Sequence, residues 1–347
     1  VHVVKLGPSE CLTQEWDAWQ SCRPHGLQHD LVLMNLRRVP ESGTPIQALL
    51  YADAQQFIGV DETIQLERAM IDAVRFGVPT IESVIDLLFQ MYERLGLLLY
   101  RHSHDVDFSS FQSFQSATLD SRLEANLAAW ECPTGLAFSH LATVNQVCQE
   151  QPLVGGFRDP VIMMKMIKTQ SNAASYIPRM LRGRAHGDLH GRNVLVGRVD
   201  DRVLWPAIYD FADMSRGNWI GWDFVKLETE FKIRAYPHIF GSDLIRESIQ
   251  FERNLFEMTE KARRYGDWSV DPTGDPRVAR LRCLILQIRR LAGRHLSYQG
   301  RHGLWLAEYY FLLTVYGLNA ARFHNLTSEE LLSAALSSGA AAARFAP

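Results

Sequence analysis

The stretch from His186 to Asp210 constrains this 347-residue chain more than any other. Two apolar runs, 194–199 and 203–209, flank Asp200-Asp201-Arg202, the pattern of a hairpin closed by a tight turn. A polar octet, His186-Gly187-Asp188-Leu189-His190-Gly191-Arg192-Asn193, leads into the first run, and Asp210 ends the second. Pairing the strands about the turn puts Asn193 opposite or diagonal to Asp210, with Cβ atoms roughly 4.5 to 8 Å apart. An amide oxygen and a carboxylate then converge on one point. Asp188, in the loop before the strand, can face that point from the other side.

Hard oxygen donors of this kind suit a magnesium ion held against ATP phosphates, because that ion usually takes only one or two protein side chains. A carboxylate such as Asp188 can accept the proton of a hydroxyl while aligning its oxygen with a γ-phosphoryl group. Arg179, Arg182, Arg184 and Arg192 cluster around the octet, where they either meet phosphate or form a solvated face.

Away from the hairpin the chain changes character near Tyr51. Before it, strands are expected at 1–6, 31–39 and 46–51, with one helix at 13–21 that has Thr13 as N-cap and Trp16 and Trp19 on one face. The run 40–45, rich in Pro, Ser and Gly, connects the last two strands. After Tyr51 the apolar residues recur at three and four. Helices are expected at 62–76, 83–100, 122–130, 141–149, 161–181, 242–265, 276–296, 304–323 and 328–336. A polar surface excursion at 101–121 and a fraying Ala- and Ser-rich tail from Ser337 complete the reading. A small β-rich part followed by a large helical part makes the fold class α+β, with two lobes.

Composition narrows the function. A net charge of −3 gives no general drive toward nucleic acid or an anionic membrane, and the most apolar late stretch, 304–318, is too short for a span and carries Glu308. Five scattered cysteines without a C-x-x-C pair point to a reducing cytoplasm and no structural zinc.

The octet, its apolar strand and Tyr209-Asp210-Phe211 resemble the catalytic signature of the aminoglycoside phosphotransferase and choline kinase group. The resemblance implies a bilobal protein-kinase-like fold. A truncated β-rich N-lobe would span 1–53. A helical C-lobe would span 54–347, with a catalytic loop at 186–193, a metal-binding hairpin at 194–213 and a helical insert at about 101–182. It implies Asp188 as catalytic base, His190 in the place where protein kinases carry a lysine, and Asn193 and Asp210 as magnesium ligands. Lys5 in Val3-Val4-Lys5-Leu6-Gly7 resembles the lysine that contacts the ATP phosphates, and Glu15 its ion-pair partner. The segment ending at Asp53 resembles the hinge facing adenine. His186 and the Asp223 of Trp222-Asp223-Phe224 are implied as structural support, Asp223 bracing the loop. The Gly-Arg after His190 and the stretch from Trp222 to Glu228 resemble kinase-like, ternary-complex-associated domains of multidomain bacterial signalling or conflict-system proteins.

Two departures from the pattern matter, one being an unusually long segment between Tyr100 and His186, either a substrate lid or a helical insert. No glycine-rich loop precedes Lys5, and the four residues before it leave no room for the first two strands, so either these belong to a longer chain or another segment covers the phosphates. The function expected from the whole is ATP- and magnesium-dependent transfer of the γ-phosphoryl group to a hydroxyl of a small molecule. The alternative is a weakly active or inactive nucleotide- or partner-binding module within a longer polypeptide. Two further readings stay open. His186, Asp188 and His190 could be transition-metal ligands of a hydrolase, although no matching histidine motif accompanies them. Lys5 could be a snorkelling strand lysine and Glu15 a surface acid.

Overall fold

A computed structural model describes residues 2–22, 36–39, 46–108, 123–150, 156–169, 176–271, 273–297 and 303–345. In chain order the strands are β1 His2–Pro8, β2 Leu36–Arg38, β3 Ile46–Ala52, β4 Glu62–Gln65, β5 Ser103–Val106, β6 Met180–Ala185, β7 Val194–Val199, β8 Arg202–Ile208 and β9 Ser215–Trp219. The helices are α1 Ser9–Cys22, α2 Ala54–Ile58, α3 Leu66–Phe76, α4 Ile81–Leu95, α5 Leu123–Glu131, α6 Leu136–Glu150, α7 Pro160–Thr169, α8 Ile220–Phe240, α9 Leu244–Tyr265, α10 Pro276–Leu296, α11 Trp305–Asn319 and α12 Ser328–Phe345. Among the described residues helices therefore accompany three small three-stranded sheets, an α+β arrangement. The chain divides into two compact units, one of residues 1–104 with 181–227 and one of 105–180 with 228–347. Within the first unit β4 and α3 pack on β7, the first strand of the hairpin.

In the first unit β3 is central to one sheet, antiparallel to β1 and to β2. Helix α1 buries Leu12, Glu15, Trp19 and Cys22, a single stripe on which Glu15 is the one charge. It starts at Ser9, not at Thr13, because the chain turns into the helix directly after Pro8. The expected strand from Leu31 is seen from Leu36, while 31–35 and the 40–45 connection lie outside the described residues.

The second sheet is the β7–β8 hairpin with β4 on its edge. Residues 62–65, expected to open a helix, are instead extended. Their backbone pairs with β7, Ile64 opposite Val196, and Ile64 is buried there. The hairpin register shifts between Val196 and Gly197, where Trp205 on the facing strand is an extra residue with φ of 43°. The third sheet pairs β6 with β9 and has β5 on its other edge. None of its three strands was expected. Of the helix expected at 161–181 the part to Thr169 is helical, 170–175 lie outside the described residues and 180–185 are β6, while the excursion at 101–121 contains β5, its residues 109–121 lying outside the described ones.

The second unit is helical around a buried charged centre. Glu228 meets Lys232 at 2.6 Å, Arg289 at 2.7 Å and the Tyr309 hydroxyl at 2.7 Å. Lys232 also meets Glu252 at 2.7 Å, and all four charged side chains are buried. Two acids balanced by two bases satisfy one another, and removing any one of them would leave a buried charge without its partner. The tail expected to fray is the buried half of α12, with Ala340, Ala341 and Ala342 in the core. Small residues allow this close approach: a Cβ on Gly339 would lie 2.0 Å from the Phe157 ring, and Ser338 donates to the Thr314 carbonyl at 2.8 Å.

Candidate active site

The hairpin places its two feet as its strand pattern requires. Val194 faces Ile208, and the Tyr209 amide donates to the Asn193 carbonyl at 3.1 Å, so Asp210 stands diagonal to Asn193. Asp210 has φ of 62°, the left-handed region, which turns the chain away from the strand at this residue.

The loop before the hairpin is held by Asp223, which lies in the first turn of α8 and is fully buried. Its Oδ2 accepts the His186 amide at 3.0 Å and its Oδ1 the Gly187 amide at 2.8 Å. The Tyr100 hydroxyl adds a third bond at 2.9 Å. Burial raises the Asp223 carboxyl above its ordinary range, against the pull of His186 and these donors. Gly187 makes the turn with φ of 82°, and a Cβ there would lie 2.4 Å from the Asn218 side chain. His186 is buried, accepts the Asp188 amide on Nδ1 at 3.3 Å and faces the Tyr209 carbonyl with Nε2 at 3.1 Å. That pattern needs the proton on Nε2, which donates to the carbonyl.

Asp188 emerges from this loop with both oxygens engaged. Oδ1 pairs with the Lys226 ammonium at 2.9 Å, while Oδ2 accepts from the Asn193 amide at 3.1 Å and lies 3.5 Å from His190 Nε2. Burial alone would raise this carboxyl. Lys226 and then His190 override it and hold Asp188 well below the usual carboxylate range. Asn193 also donates to the Asp188 carbonyl at 2.9 Å, which turns its NH2 group to Asp188 and leaves Oδ1 as its candidate cation ligand. His190 caps the short turn Gly191–Asn193, accepting the Arg192 amide on Nδ1 at 3.3 Å.

On the other side stands Lys5. Its ammonium pairs with Glu15 at 2.7 Å and with Asp210 at 3.0 Å. Burial pulls its pKa down, but Glu15 and Asp210 outweigh that and hold it above the ordinary lysine value. Glu15 accepts from Lys5 on Oε2, and on Oε1 from the Tyr51 hydroxyl and from the Phe211 amide at 3.2 Å. The Tyr51 oxygen in turn accepts the Asp210 amide at 3.2 Å. Burial first, and then Glu15, push the Tyr51 phenol up, so it stays a hydrogen-bond donor. Trp19 stacks on Phe211 with centroids 4.6 Å apart and closes this side.

The structure thus brings Lys5, Glu15 and Asp210 into one cluster and His186, Asp188, His190, Asn193 and Asp223 into another, joined through the hairpin. Asp53 is elsewhere engaged: its Oδ1 accepts the Gln55 amide at 2.9 Å and caps α2. Arg192 lies 3.6 Å from Glu67, and Arg182 donates to the Gly217 carbonyl at 2.7 Å. Two residues escaped the sequence reading, Tyr51 and Lys226. The second had a signal, since Lys226 follows Trp222 by four residues and its ammonium lies 5.9 Å from that ring. Among the described residues no three His, Cys, Asp or Glu side chains gather as a metal cage. An oxygen pair such as Asn193 and Asp210 fits a magnesium ion that takes its other ligands from phosphate and water.

Residues 156–320, a little under half of the chain, match the family described as ternary complex associated domain 9. That stretch includes the octet, the hairpin, Asp223 and Lys226. No curated protein matches the chain. Among solved structures, a glucosamine kinase in crystal form B is similar at 15% identity and a TM-score of 0.47, over 97% of this chain and 72% of that one. A glucosamine kinase in complex with glucosamine, ADP and inorganic phosphate is similar at 14% identity and a TM-score of 0.47, over 97% and 75%. Among the described residues no helix is long and apolar enough to cross a membrane.

Proposed function

We propose that the first unit carries an ATP- and magnesium-dependent phosphotransferase site that moves the γ-phosphoryl group to a hydroxyl of a small molecule, on a bilobal protein-kinase-like fold. The observation that supports this reading is that the two feet of one hairpin carry the two clusters, Asn193 bonded to Asp188 at one foot and Asp210 paired with Lys5, itself paired with Glu15, at the other. Asn193 and Asp210 would hold magnesium, which neutralises phosphate charge. Lys5 would contact the phosphates. Asp188 would accept the hydrogen of the acceptor hydroxyl and aim its oxygen at the γ-phosphorus. Held ionised by Lys226, Asp188 is a weak base, so its contribution is orientation more than early proton removal. The five cysteines are free thiols, which fits a cytoplasmic setting.

Magnesium-dependent ATP turnover that falls by about 10²–10⁴ in Asp188→Ala would support this reading. A full-length protein that binds no nucleotide would remove it. A second reading, a module that binds nucleotide or neighbouring domains of a longer chain without turnover, is favoured by the match to a family described by a ternary complex. Measured turnover or transfer counts against it.

A further inference from the structure

We infer that Lys226 is a second phosphate-directed cation of this site, placed to meet the transferring γ-phosphoryl group from the Asp188 side as Lys5 meets phosphate from the Asp210 side. The inference rests on the phosphotransferase reading above.

Three observations carry it. Lys226 Nζ lies 2.9 Å from Asp188 Oδ1, and the lysine side chain is only 10% exposed while the aspartate is 30% exposed. The pair is therefore not a solvated surface bridge, and the carboxylate is the partner turned toward solvent. Next, the ammonium projects from the start of α8 and lies against Trp222 one turn earlier on that helix. The same turn carries Asp223, which fixes the His186–Gly187 backbone, so Lys226 and the loop share one rigid support. Third, the oxygens of Asp188 are divided, Oδ1 to Lys226 and Oδ2 to the Asn193 amide.

A hydroxyl bound to Asp188 lies about one further hydrogen-bond length from the Lys226 ammonium. In the transfer step the hydroxyl oxygen forms a bond to the γ-phosphorus while the bond from that phosphorus to the β–γ bridging oxygen breaks. The electron pair of the broken bond leaves with ADP, and the hydroxyl proton passes to Asp188. Negative charge on the equatorial phosphoryl oxygens then develops within reach of Lys226, in a partly buried setting where a fixed cation acts strongly. A bracing role for Lys226 would involve the loop alone and would not distinguish ATP from ADP.

The test uses the whole chain with magnesium, measuring ATP and ADP binding by calorimetry alongside turnover, in wild type, Lys226→Met and Lys226→Arg. The expected result is that Lys226→Met weakens ATP relative to ADP by about tenfold to a hundredfold, with turnover falling as well, and that Lys226→Arg keeps most of the preference. Lys226→Gln, which retains a donor for Asp188, provides the same ratio should the methionine variant melt early. An ATP-to-ADP ratio unchanged in the folded Met or Gln variant overturns the inference and leaves the phosphotransferase reading standing. Wild-type protein that binds neither nucleotide overturns both.

Discussion

The phenolic oxygen of Tyr51 accepts the backbone N–H of Asp210 at 3.2 Å and donates its own hydrogen to Glu15. One side chain on the central strand of the first sheet thus ties the acid of helix α1 to the foot of the hairpin. Replacing it with phenylalanine keeps the ring packing and removes only the oxygen. The buried Glu15 carboxylate and the part-buried Asp210 amide then each lose a partner. Tyr51→Phe is expected to lower stability by about 1 to 3 kcal/mol, read by denaturant titration. A midpoint equal to that of wild type would show that the bridge carries no weight.

Gly187 is the position where the loop tolerates no side chain. Its φ of 82° disfavours any L residue, and the space for a Cβ is already filled by Asn218 and the Asp213 carbonyl, each 2.4 Å away. Gly187→Ala is expected to cost about 2 to 3 kcal/mol. The measurement is the melting temperature beside that of Gly266→Ala. Gly266 also has a positive φ, 75°, but nothing lies within 4 Å of its Cβ position. The crowded site should lose clearly more than the open one, and equal losses would contradict the packing described.

Acid should weaken the second unit in two stages. Burial opposes ionisation of Glu228, but Arg289 and Lys232 prevail and bring it from 4.5 to about 2. The unfolded chain therefore takes up that proton first, so the stability Glu228 gives is whole above about 4.5 and is lost as the pH falls toward about 2. Burial, with Arg294 nearby, lowers His295 from 6.5 to about 4. The unfolded imidazole again protonates first, so stability also declines from about 6.5 down to about 4. Melting temperature followed across this range should fall in both windows in wild type and only in the lower one in His295→Gln. Superimposable profiles would contradict the upper stage.

Legibility from sequence followed the locality of the cause. The hairpin was readable because alternation and the Asp200-Asp201-Arg202 turn are written into one short segment. So was α10, where Asp275 accepts the Arg277 amide at 2.8 Å and Pro276 sits at the first helical position. Strands β6 and β9, Met-Leu-Arg-Gly-Arg-Ala and Ser-Arg-Gly-Asn-Trp, lack alternation and exist through their partners. Gly183 shows the dependence: a Cβ there would meet the His102 carbonyl at 2.9 Å. The alanines of α12 read as a fraying tail because smallness looks like weak cohesion in sequence. In the packed unit it permits close approach. Lys226 carried only its spacing from Trp222 as a signal, because its ion-pair partner Asp188 is distant along the chain.

The way Asp223 holds two consecutive amides has a consequence for evolution. Because the turn at His186 and Gly187 is secured from behind, through main-chain groups, the Asp188 side chain that follows is not what sets the path of the chain there. A descendant could exchange Asp188, fall silent as a catalyst and still make the same turn at His186 and Gly187. Relatedness in this group would then be visible in the scaffold, while competence would be inscribed only in the letters it displays.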